Sequence, residues 1–351
     1  EDPVARESIL MALDDLKGHY LATEGQWAGV SYVYLGCPVY REGVPDLDNM
    51  ISHAFGYGYK LTGNQEYLQV GTDIFRTSVR YAITPSHKHY DQQFRSSGHF
   101  AAYLGDRPTI GSVVNAASYS GDVVCTPGGL ASIFGHMLAR SGVGVPDVLP
   151  LPTSLNEVQV KAGDAALPLL FVSPEQINFQ CPDLAPGQHA SITVEANGQA
   201  SAAVDVQIET NPGLFSVDAT GSGQGAILIS GTDQLAGPAN TGFPARPVER
   251  GEYISIYATG LGRVRNPVPL GHPGPMNADS VLEAPTYVRI GGVDAEVTYS
   301  GLAPGYVGLY QVNARVPDSA PAGNTVPVVV SVADASGVLH ASNTVTIAIA
   351  P

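Results

Sequence analysis

Basic residues are scarce in this sequence, since 17 Lys and Arg stand against 32 Asp and Glu and leave a net charge of −15. This surplus of acidic groups would repel the phosphate backbone of a nucleic acid, which argues against nucleic-acid binding. Long apolar runs are also lacking, and none approaches the ~18 residues that suggest a membrane-spanning helix. We therefore expect neither a nucleic-acid partner nor a membrane span.

Motifs that carry known chemistry are missing as well. The sequence has no Gly-x-Ser-x-Gly elbow, no His-Glu-x-x-His pair and no calcium loop of the EF-hand type. The glycine cluster "GSGQGA" at residues 221–226 lies between two strand patterns with no helix behind it, so we interpret it as a hairpin turn and not as a phosphate loop. We assign no catalytic residue, no metal ligand and no cofactor from the sequence.

The sequence is rich in Gly (40 residues) and Pro (27 residues), and its apolar residues follow two different patterns. Up to about residue 104 they recur at helical spacing, which predicts helices near 4–16, 48–61, 64–79 and 89–104. Beyond residues 106–108, short β-branched runs are separated by Pro, Gly and Asn. We predict a small α-helical domain at 1–107 and two tandem immunoglobulin-like β-sandwiches at 108–211 and 212–351.

An internal repeat supports the two sandwiches, because three blocks recur in the same order. The pairs are "GGLASIFGHMLA" (128–139) with "RGEYISIYATGLG" (250–262), "EVQVKAGDAA" (157–166) with "YVRIGGVDAE" (287–296), and "QINFQCP" (176–182) with "QVNARVP" (311–317). We interpret the two heptads as equivalent strands. Their Gln and Asn side chains are expected to tie strand ends to loops through hydrogen bonds to the backbone.

The ordered blocks from "VVNAASY" to "GLAPGYVGLYQVN" resemble the uncharacterised C-terminal domain family named after Solibacter, over about residues 110–349. Each half also resembles the IPT/TIG immunoglobulin-like fold. The resemblance implies a secreted or surface-exposed bacterial protein and brings no catalytic residues with it. The helical segment, through "AFGYGYKLTGNQEYLQVGTDIF", resembles the last hairpins of an (α/α) toroid found in polysaccharide lyases and related glycan enzymes, although it is long enough for only part of such a toroid.

The chain has three cysteines, of which Cys125 and Cys181 fall in the first predicted sandwich. In an extracytoplasmic protein such a pair can bridge neighbouring strands, and two free buried thiols are the alternative. Cys37 is left over, either buried and free or once paired with a group outside this chain. The first residues show no signal sequence, so we expect that segment to be removed or to lie outside this chain, and we predict an extracellular or cell-surface location.

The densest group of polar side chains lies at residues 86–97, "SHKHYDQQFRSS". His and Tyr can exchange protons with a sugar, and Arg can neutralise a uronate carboxylate. Catalysis, glycan contact and ordinary surface or capping roles all remain open for this group. The candidate glycan contacts are Trp27, His87, His89, Tyr90, Gln93 and Arg95.

Two classes of function follow from these observations. The first is a secreted or cell-surface bacterial structural or adhesive protein that forms a homo-oligomer or filament. In such a protein the run "NTVTIAIAP" (343–351) would either complete a neighbour's sheet or pair within its own sandwich. The alternative is a polysaccharide partner, bound either by the C-terminal portion of a lyase-like or hydrolase-like enzyme or by a non-catalytic glycan-binding module.

Overall fold

The computed structural model describes residues 3–19, 45–80, 99–100, 107–120, 124–140, 142–196, 198–239, 242–277, 279–334 and 336–351. The chain divides into two compact units, Glu1–Asp106 and Arg107–Pro351. Across the described ranges, no helix combines the length and the apolar character that a membrane crossing requires.

The first unit contains the helices α1 (Pro3–His19), α2 (Pro45–Thr62) and α3 (Gln65–Arg80). Their apolar side chains meet in one cluster, whose most buried members are Leu13, Phe55, Tyr59, Tyr67 and Ile74. Gly63 ends α2 with a positive φ of 71°, and the Asn64 Oδ1 atom accepts a hydrogen bond from the Glu66 amide at 3.0 Å. The boundary between the second and third predicted helices is therefore confirmed.

Several predictions for this unit fall outside the described residues. Of the fourth predicted helix only residues 99–100 are described, so both this helix and the likeness to a toroid stay predictions. The state of Cys37 also lies outside the described ranges. The same is true of all the candidate glycan contacts, namely Trp27, His87, His89, Tyr90, Gln93 and Arg95.

The second unit begins with two sheets that share one core. Their strands are β1 (Thr109–Asn115), β2 (Val124–Cys125), β3 (Leu130–His136), β4 (Val158–Ala162), β5 (Ala165–Leu167), β6 (Leu169–Val172), β7 (Gln176–Gln180), β8 (His189–Ala196), β9 (Gln199–Ala200) and β10 (Val204–Ile208). One sheet has the order β1-β3-β7-β6, and the other has the order β2-β10-β8-β4-β5 with β9 beside β8. Inward side chains such as Ile133 and Val194 join in a single buried cluster, so the two sheets form a β-sandwich.

A second sandwich follows. Its strands are β11 (Gly213–Leu214), β12 (Ile227–Ile229), β13 (Leu235–Ala236), β14 (Ala245–Arg246), β15 (Tyr253–Thr259), β16 (Thr286–Ile290), β17 (Val293–Ala295), β18 (Val297–Leu302), β19 (Tyr310–Arg315), β20 (Gly323–Ala333), β21 (Leu339–Ala341) and β22 (Val345–Ile349). The sheets are β14-β13-β12-β15-β19-β18, with β11 beside β15, and β17-β16-β20-β21, with β22 beside β20. One core cluster again takes side chains from both sheets, such as Ile256 and Val330.

The two sandwiches share an arrangement of equivalent strands, although the structure describes ten strands in the first and twelve in the second. The heptad strand β7 lies between β3 and β6, and its counterpart β19 lies between β15 and β18. The outer neighbours β6 and β18 share a register shift at the same point, just before Phe171 in one and just before Tyr299 in the other. The predicted β-sandwich class is therefore confirmed, and the sequence repeat corresponds to equivalent strands.

The glycine cluster at 221–226 lies in a turn, as predicted, but the strands around it are not partners. Leu214 of β11 and Ile227 of β12 both pair with β15, opposite Ala258 and Ile256, along the edge that β19 leaves free. The chain between them leaves this edge as a small hairpin, closed by the bridge between Ser216 and Gly225, and then returns to the same edge. We name residues 215–226 the excursion loop.

The C-terminal strand β22 pairs within its own sandwich, which is one of the two outcomes considered from the sequence. On one side it is antiparallel to β20. On its other side the Thr346 amide donates to the Gly223 carbonyl at 2.6 Å, and the Ala348 carbonyl accepts from the Val248 amide at 2.9 Å. Both sides of β22 are thus occupied, so this strand offers no free edge to a neighbour. A homo-oligomer or filament stays a prediction.

A disulfide joins Cys125, at the end of β2, to Cys181, directly after β7. It therefore links the two sheets of the first sandwich and not neighbouring strands of one sheet. The Cys181 amide donates to the Gly129 carbonyl just as the Val316 amide donates to the Glu252 carbonyl, each at 2.8 Å. The second sandwich thus places a buried valine where the first has its bridge.

We expect the paired substitution Cys125→Ala and Cys181→Val to destabilise the first sandwich selectively. The bridge joins residues 56 positions apart in sequence. Without it the unfolded chain gains entropy, which lowers the free energy of unfolding by about 4 kcal/mol in the chain-entropy model. Hydrogen exchange should accelerate in β7 and stay unchanged in β19. Val316→Ala is the matched control, because its cavity should accelerate exchange in β19 instead. Equal acceleration of both strands in the cysteine variant would contradict a local role for the bridge.

Candidate functional site

The outer face of the β1-β3-β7-β6 sheet carries amide and aromatic side chains together. Along β7, Ile177 and Phe179 are buried, whereas Gln176 and Asn178 between them point outward and are half-buried. The strand register places Ser132 and Phe134 of β3 opposite Asn178 and Gln176, and Phe171 of β6 also opposite Asn178. We call this set the amide–aromatic face; its members are Ser132, Phe134, Phe171, Gln176 and Asn178.

Hydrogen bonds within this face fix the orientation of the two amides. The Asn178 Oδ1 atom accepts from the Ser132 hydroxyl and from the Gln176 Nε2 group, both at 2.8 Å. The Asn178 Nδ2 group and the Gln176 Oε1 atom have no hydrogen-bond partner within the described part of the chain. The two bonded amides thus leave one donor group and one acceptor atom without a partner among the described residues.

An open groove of about 650 Å³ lies over this face. Its lining consists of Tyr119, Phe134, Phe171, Gln176, Asn178, Ala219 and Thr220. None of these side chains is charged at neutral pH; only Tyr119 among them titrates, and burial raises the pKa of its hydroxyl above the usual range. The volume lies within the range that small-molecule sites occupy, and the mixture of apolar rings with a few fixed polar groups is typical of such sites.

Tyr119 reaches this groove from the turn that follows β1. Its backbone has a positive φ of 54°, and its ring centroid lies 6.0 Å from that of Phe134 at an interplanar angle of 47°. The buried Asn115 side chain holds the turn, since its Oδ1 accepts from the Ala117 and Ser118 amides at 2.8 and 3.1 Å. An unusual backbone conformation is thus maintained by the hydrogen bonds of one asparagine, and it places a third ring at the groove.

The second sandwich has the same residue types at the equivalent positions but does not form an equivalent groove. Gln311 Nε2 again donates to Asn313 Oδ1 at 2.8 Å, and Tyr257 and Tyr299 stand where the first sandwich has phenylalanines. However, the Tyr299 hydroxyl donates to the Leu302 carbonyl at 2.7 Å. Tyr257 and Asn313 also line two separate depressions, of about 520 and 530 Å³.

The prediction that the Gln and Asn side chains of the heptad tie strand ends to loops is confirmed for Gln180 and wrong for Gln176 and Asn178. Gln176 and Asn178 bond to each other and to Ser132, not to loop backbone. The side chain that does tie loops together is that of Gln180, whose Nε2 donates to the Gly128 carbonyl at 2.9 Å and whose Oε1 accepts from the Gly271 amide at 2.7 Å. Gln180 thereby joins the two sandwiches.

The cleft beside Gln180, between the two sandwiches, is a further concavity of about 230 Å³. Its charged side chains are of both signs: Arg263 lies 3.6 Å from Asp183, and Arg265 and Glu283 also line it. The cleft lies at a tight junction, in which the Leu130 amide donates to the Thr259 hydroxyl at 2.8 Å. We interpret this cleft as part of the junction that fixes the two sandwiches together.

Within the described ranges, no group of three or more His, Cys, Asp or Glu side chains could hold a metal ion. In the helical unit, His53 has an Nδ1 atom that is buried without a hydrogen-bond partner. Burial, and to a smaller extent the neighbouring His99, lower the pKa of His53, so its neutral form is favoured.

The sequence analysis did not identify the aromatic residues of the amide–aromatic face, although the alternation in "ASIFG" could have indicated an outward Phe134.

No family model matches this chain, and no curated protein matches it either. Among solved structures, SGBP-B of the Bacteroides ovatus mixed-linkage glucan utilization locus, in complex with a mixed-linkage heptasaccharide, is 11% identical over 70% of this chain and 46% of that chain, with a TM-score of 0.30. The I9-I11 tandem of titin is 9% identical, covering 69% and 64%, with a TM-score of 0.17. The Ig1-2 module of the Drosophila receptor tyrosine phosphatase DLAR is 11% identical, covering 68% and 98%, also with a TM-score of 0.17.

This chain spans less than half of the Bacteroides protein and less than two thirds of the titin tandem. At TM-scores of 0.30 and below, these likenesses carry no argument about ligand or activity. The β-sandwich fold rests on the sheets of the chain itself.

We expect Ser132→Ala to lower the free energy of unfolding by about 1 kcal/mol, because a buried hydrogen bond to Asn178 is lost. The Asn178 side-chain amide resonances should shift in the NMR spectrum as Oδ1 loses one donor. Ser255→Ala is the matched control: it breaks a bond of 2.9 Å to Ser230 in the second sandwich and should leave Asn178 unchanged. Unshifted Asn178 resonances in Ser132→Ala would contradict the described network.

Proposed function

We propose that this chain is an extracellular, adhesive carbohydrate-binding protein that holds a neutral glycan in the groove over the amide–aromatic face and does not act on it chemically. One observation carries the proposal: Phe134 and Phe171 present half-buried rings in the same groove where Asn178 and Gln176 present amide atoms that have no partner among the described residues. The second sandwich, which places these residue types in separate depressions, is assigned no groove of its own.

Both kinds of side chain match the chemistry of a sugar. A pyranose ring has faces made of C–H groups, which aromatic rings can cover and remove from water. Around its rim are hydroxyls, each of which both donates and accepts hydrogen bonds. The Asn178 Nδ2 group can donate to one hydroxyl while the Gln176 Oε1 atom accepts from another, so polar groups desolvated on either side find partners.

The lack of charge among the described residues of the groove favours a neutral glycan over an acidic one. A uronate carboxylate would be expected to meet an Arg or Lys side chain, and neither is among the described residues that line this groove. The net charge of −15 also repels an anionic polymer at a distance. Neutral polysaccharides do not experience this repulsion.

Binding without catalysis is supported by what lines the groove. Glycoside hydrolysis commonly uses two carboxyl groups on either side of the scissile bond, and no Asp, Glu or His is among the lining residues that the structure describes. The disulfide between Cys125 and Cys181 supports an extracellular location, because such bonds persist in oxidising compartments. A relationship to the Solibacter-type C-terminal domains, and with it a bacterial surface protein, remains part of the proposal.

The test is calorimetric titration of the chain with cellohexaose, laminarihexaose, xylohexaose and mannohexaose. We expect at least one of these probes to bind, and Asn178→Ala to weaken that binding about tenfold or more, which corresponds to about 1.4 kcal/mol. Phe171→Leu, which keeps an apolar side chain but removes the ring, should weaken it comparably.

Asn313→Ala is the matched control, because it removes the equivalent amide from the second sandwich and should leave the affinity unchanged. Binding by none of the four probes, or equal losses in Asn178→Ala and Asn313→Ala, would overturn the assignment of the groove. New reducing ends appearing during incubation with the matching polysaccharide would contradict the non-catalytic part of the proposal.

A further inference from the structure

The groove over the first sandwich has a wall that belongs to the second. Of its lining residues, Ala219 and Thr220 lie in the excursion loop, which leaves and rejoins the edge of β15. The other lining residues belong to the first sandwich. A site that looks like the property of one sheet is therefore built from two sandwiches.

Close backbone contact seats the excursion loop against the first sandwich. A Cβ atom added to Gly221 would lie 2.5 Å from the carbonyl oxygen of Ser118, a distance that real side chains do not tolerate. Ser118 belongs to the same turn that carries Tyr119 to the groove. Only glycine at position 221 permits this approach, which also uses a positive φ of 76°.

Hydrogen bonds within the excursion loop, and one from the body of the second sandwich, also fix its conformation. The Ser216 hydroxyl oxygen accepts from the Thr220 and Gly221 amides, both at 3.0 Å. From the second sandwich, the Asn343 Nδ2 group donates to the Gly221 carbonyl at 2.7 Å. The loop is therefore a fixed wall, positioned by one sandwich and pressed against the other.

Thr220 brings a polar group to this wall. Its hydroxyl donates to the Asp218 carboxylate at 2.9 Å, and its amide donates to the same Oδ1 atom at 3.2 Å. Because the hydroxyl proton is engaged by Asp218, the Ser222 hydroxyl at 3.2 Å can only donate to the Thr220 oxygen, which keeps one further lone pair for a hydrogen bond from a ligand. The groove thus has amide groups on its floor and an acceptor on its wall.

We infer that the excursion loop of the second sandwich is part of the saccharide site, and that Thr220 selects sugars with a hydroxyl donor facing this wall. The inference rests on the proposed function, because it concerns the same groove. It has a thermodynamic corollary: a saccharide that contacts both sandwiches must tighten their junction by as much as the junction tightens its binding.

Two glycines of the loop provide a matched pair for the test. Gly221→Ala adds a methyl group that collides with Ser118, whereas Gly223→Ala adds one with nothing within 4 Å. Both positions have similar positive φ, 76° and 72°, so the backbone strain of alanine is common to the two variants. Their difference therefore isolates the contact between the loop and the first sandwich.

In the full chain, we expect Gly221→Ala to weaken binding of the tightest of the four hexaoses about tenfold or more relative to Gly223→Ala. Thr220→Val, which keeps the shape of the side chain and removes its hydroxyl, should weaken binding of the same hexaose several-fold, and its melting temperature should rise less on adding that hexaose. Equal affinities in the two glycine variants, or parent-like affinity in Thr220→Val, would overturn the inference.

The outcomes also separate this inference from the proposed function. If the parent binds none of the four hexaoses, the groove itself is wrongly assigned. If the parent binds and Asn178→Ala loses binding while the two glycine variants and Thr220→Val bind like the parent, then only the contribution of the second sandwich is refuted. Thr220 is exposed, so its variant remains informative even if Gly221→Ala fails to fold.

Discussion

The outer face of the first sandwich depends on the period of two along β7. Because Ile177 and Phe179 are fully buried against the opposite sheet, Gln176 and Asn178 must point outward. A register slip of one residue would place both amides in the core and both apolar side chains in water, which the buried cluster forbids. The packing of the core thus fixes where the amides stand, and Ser132, aligned by the neighbouring strand, fixes how they turn.

Duplication of a fold does not by itself duplicate a site. Both sandwiches keep the pair of Gln and Asn on the heptad strand and a register shift in the strand beside it. These features depend only on the pairing of neighbouring strands, which the two sandwiches share. The groove requires more than the ladder, namely rings that lie next to the amides and a wall that closes one side. In the second sandwich the Tyr299 hydroxyl is bonded to the backbone of its own strand end, and the aromatic and amide groups line different depressions.

Local rules were enough to predict much of this architecture. The end of α2 at Gly63 follows from the conformational freedom of glycine, and the strand pattern and the repeat follow from alternation and order of blocks. The pair of Cys125 and Cys181 was identified, although not as a link between sheets. What could not be predicted depends on register and on distant contacts. Phe171 meets Asn178 only because of a shift in the ladder, and Gly221 meets Ser118 across more than a hundred residues of sequence.

The double pairing of β22 has a mechanical consequence under the proposed carbohydrate-binding function. If the groove of the first sandwich holds a polysaccharide while a force is applied to β22, the load is shared by the backbone at residues 209–212 and the junction at Gln180, and it passes along this strand. The hydrogen bonds of β22 to β20 and to Val248 lie across the strand, so a pull along it loads them together in shear. Hydrogen bonds loaded in shear share the force and must break together, whereas those of a strand pulled away from a free edge break one after another. Under tension, the sugar would then be expected to dissociate from the groove before the second sandwich unfolds.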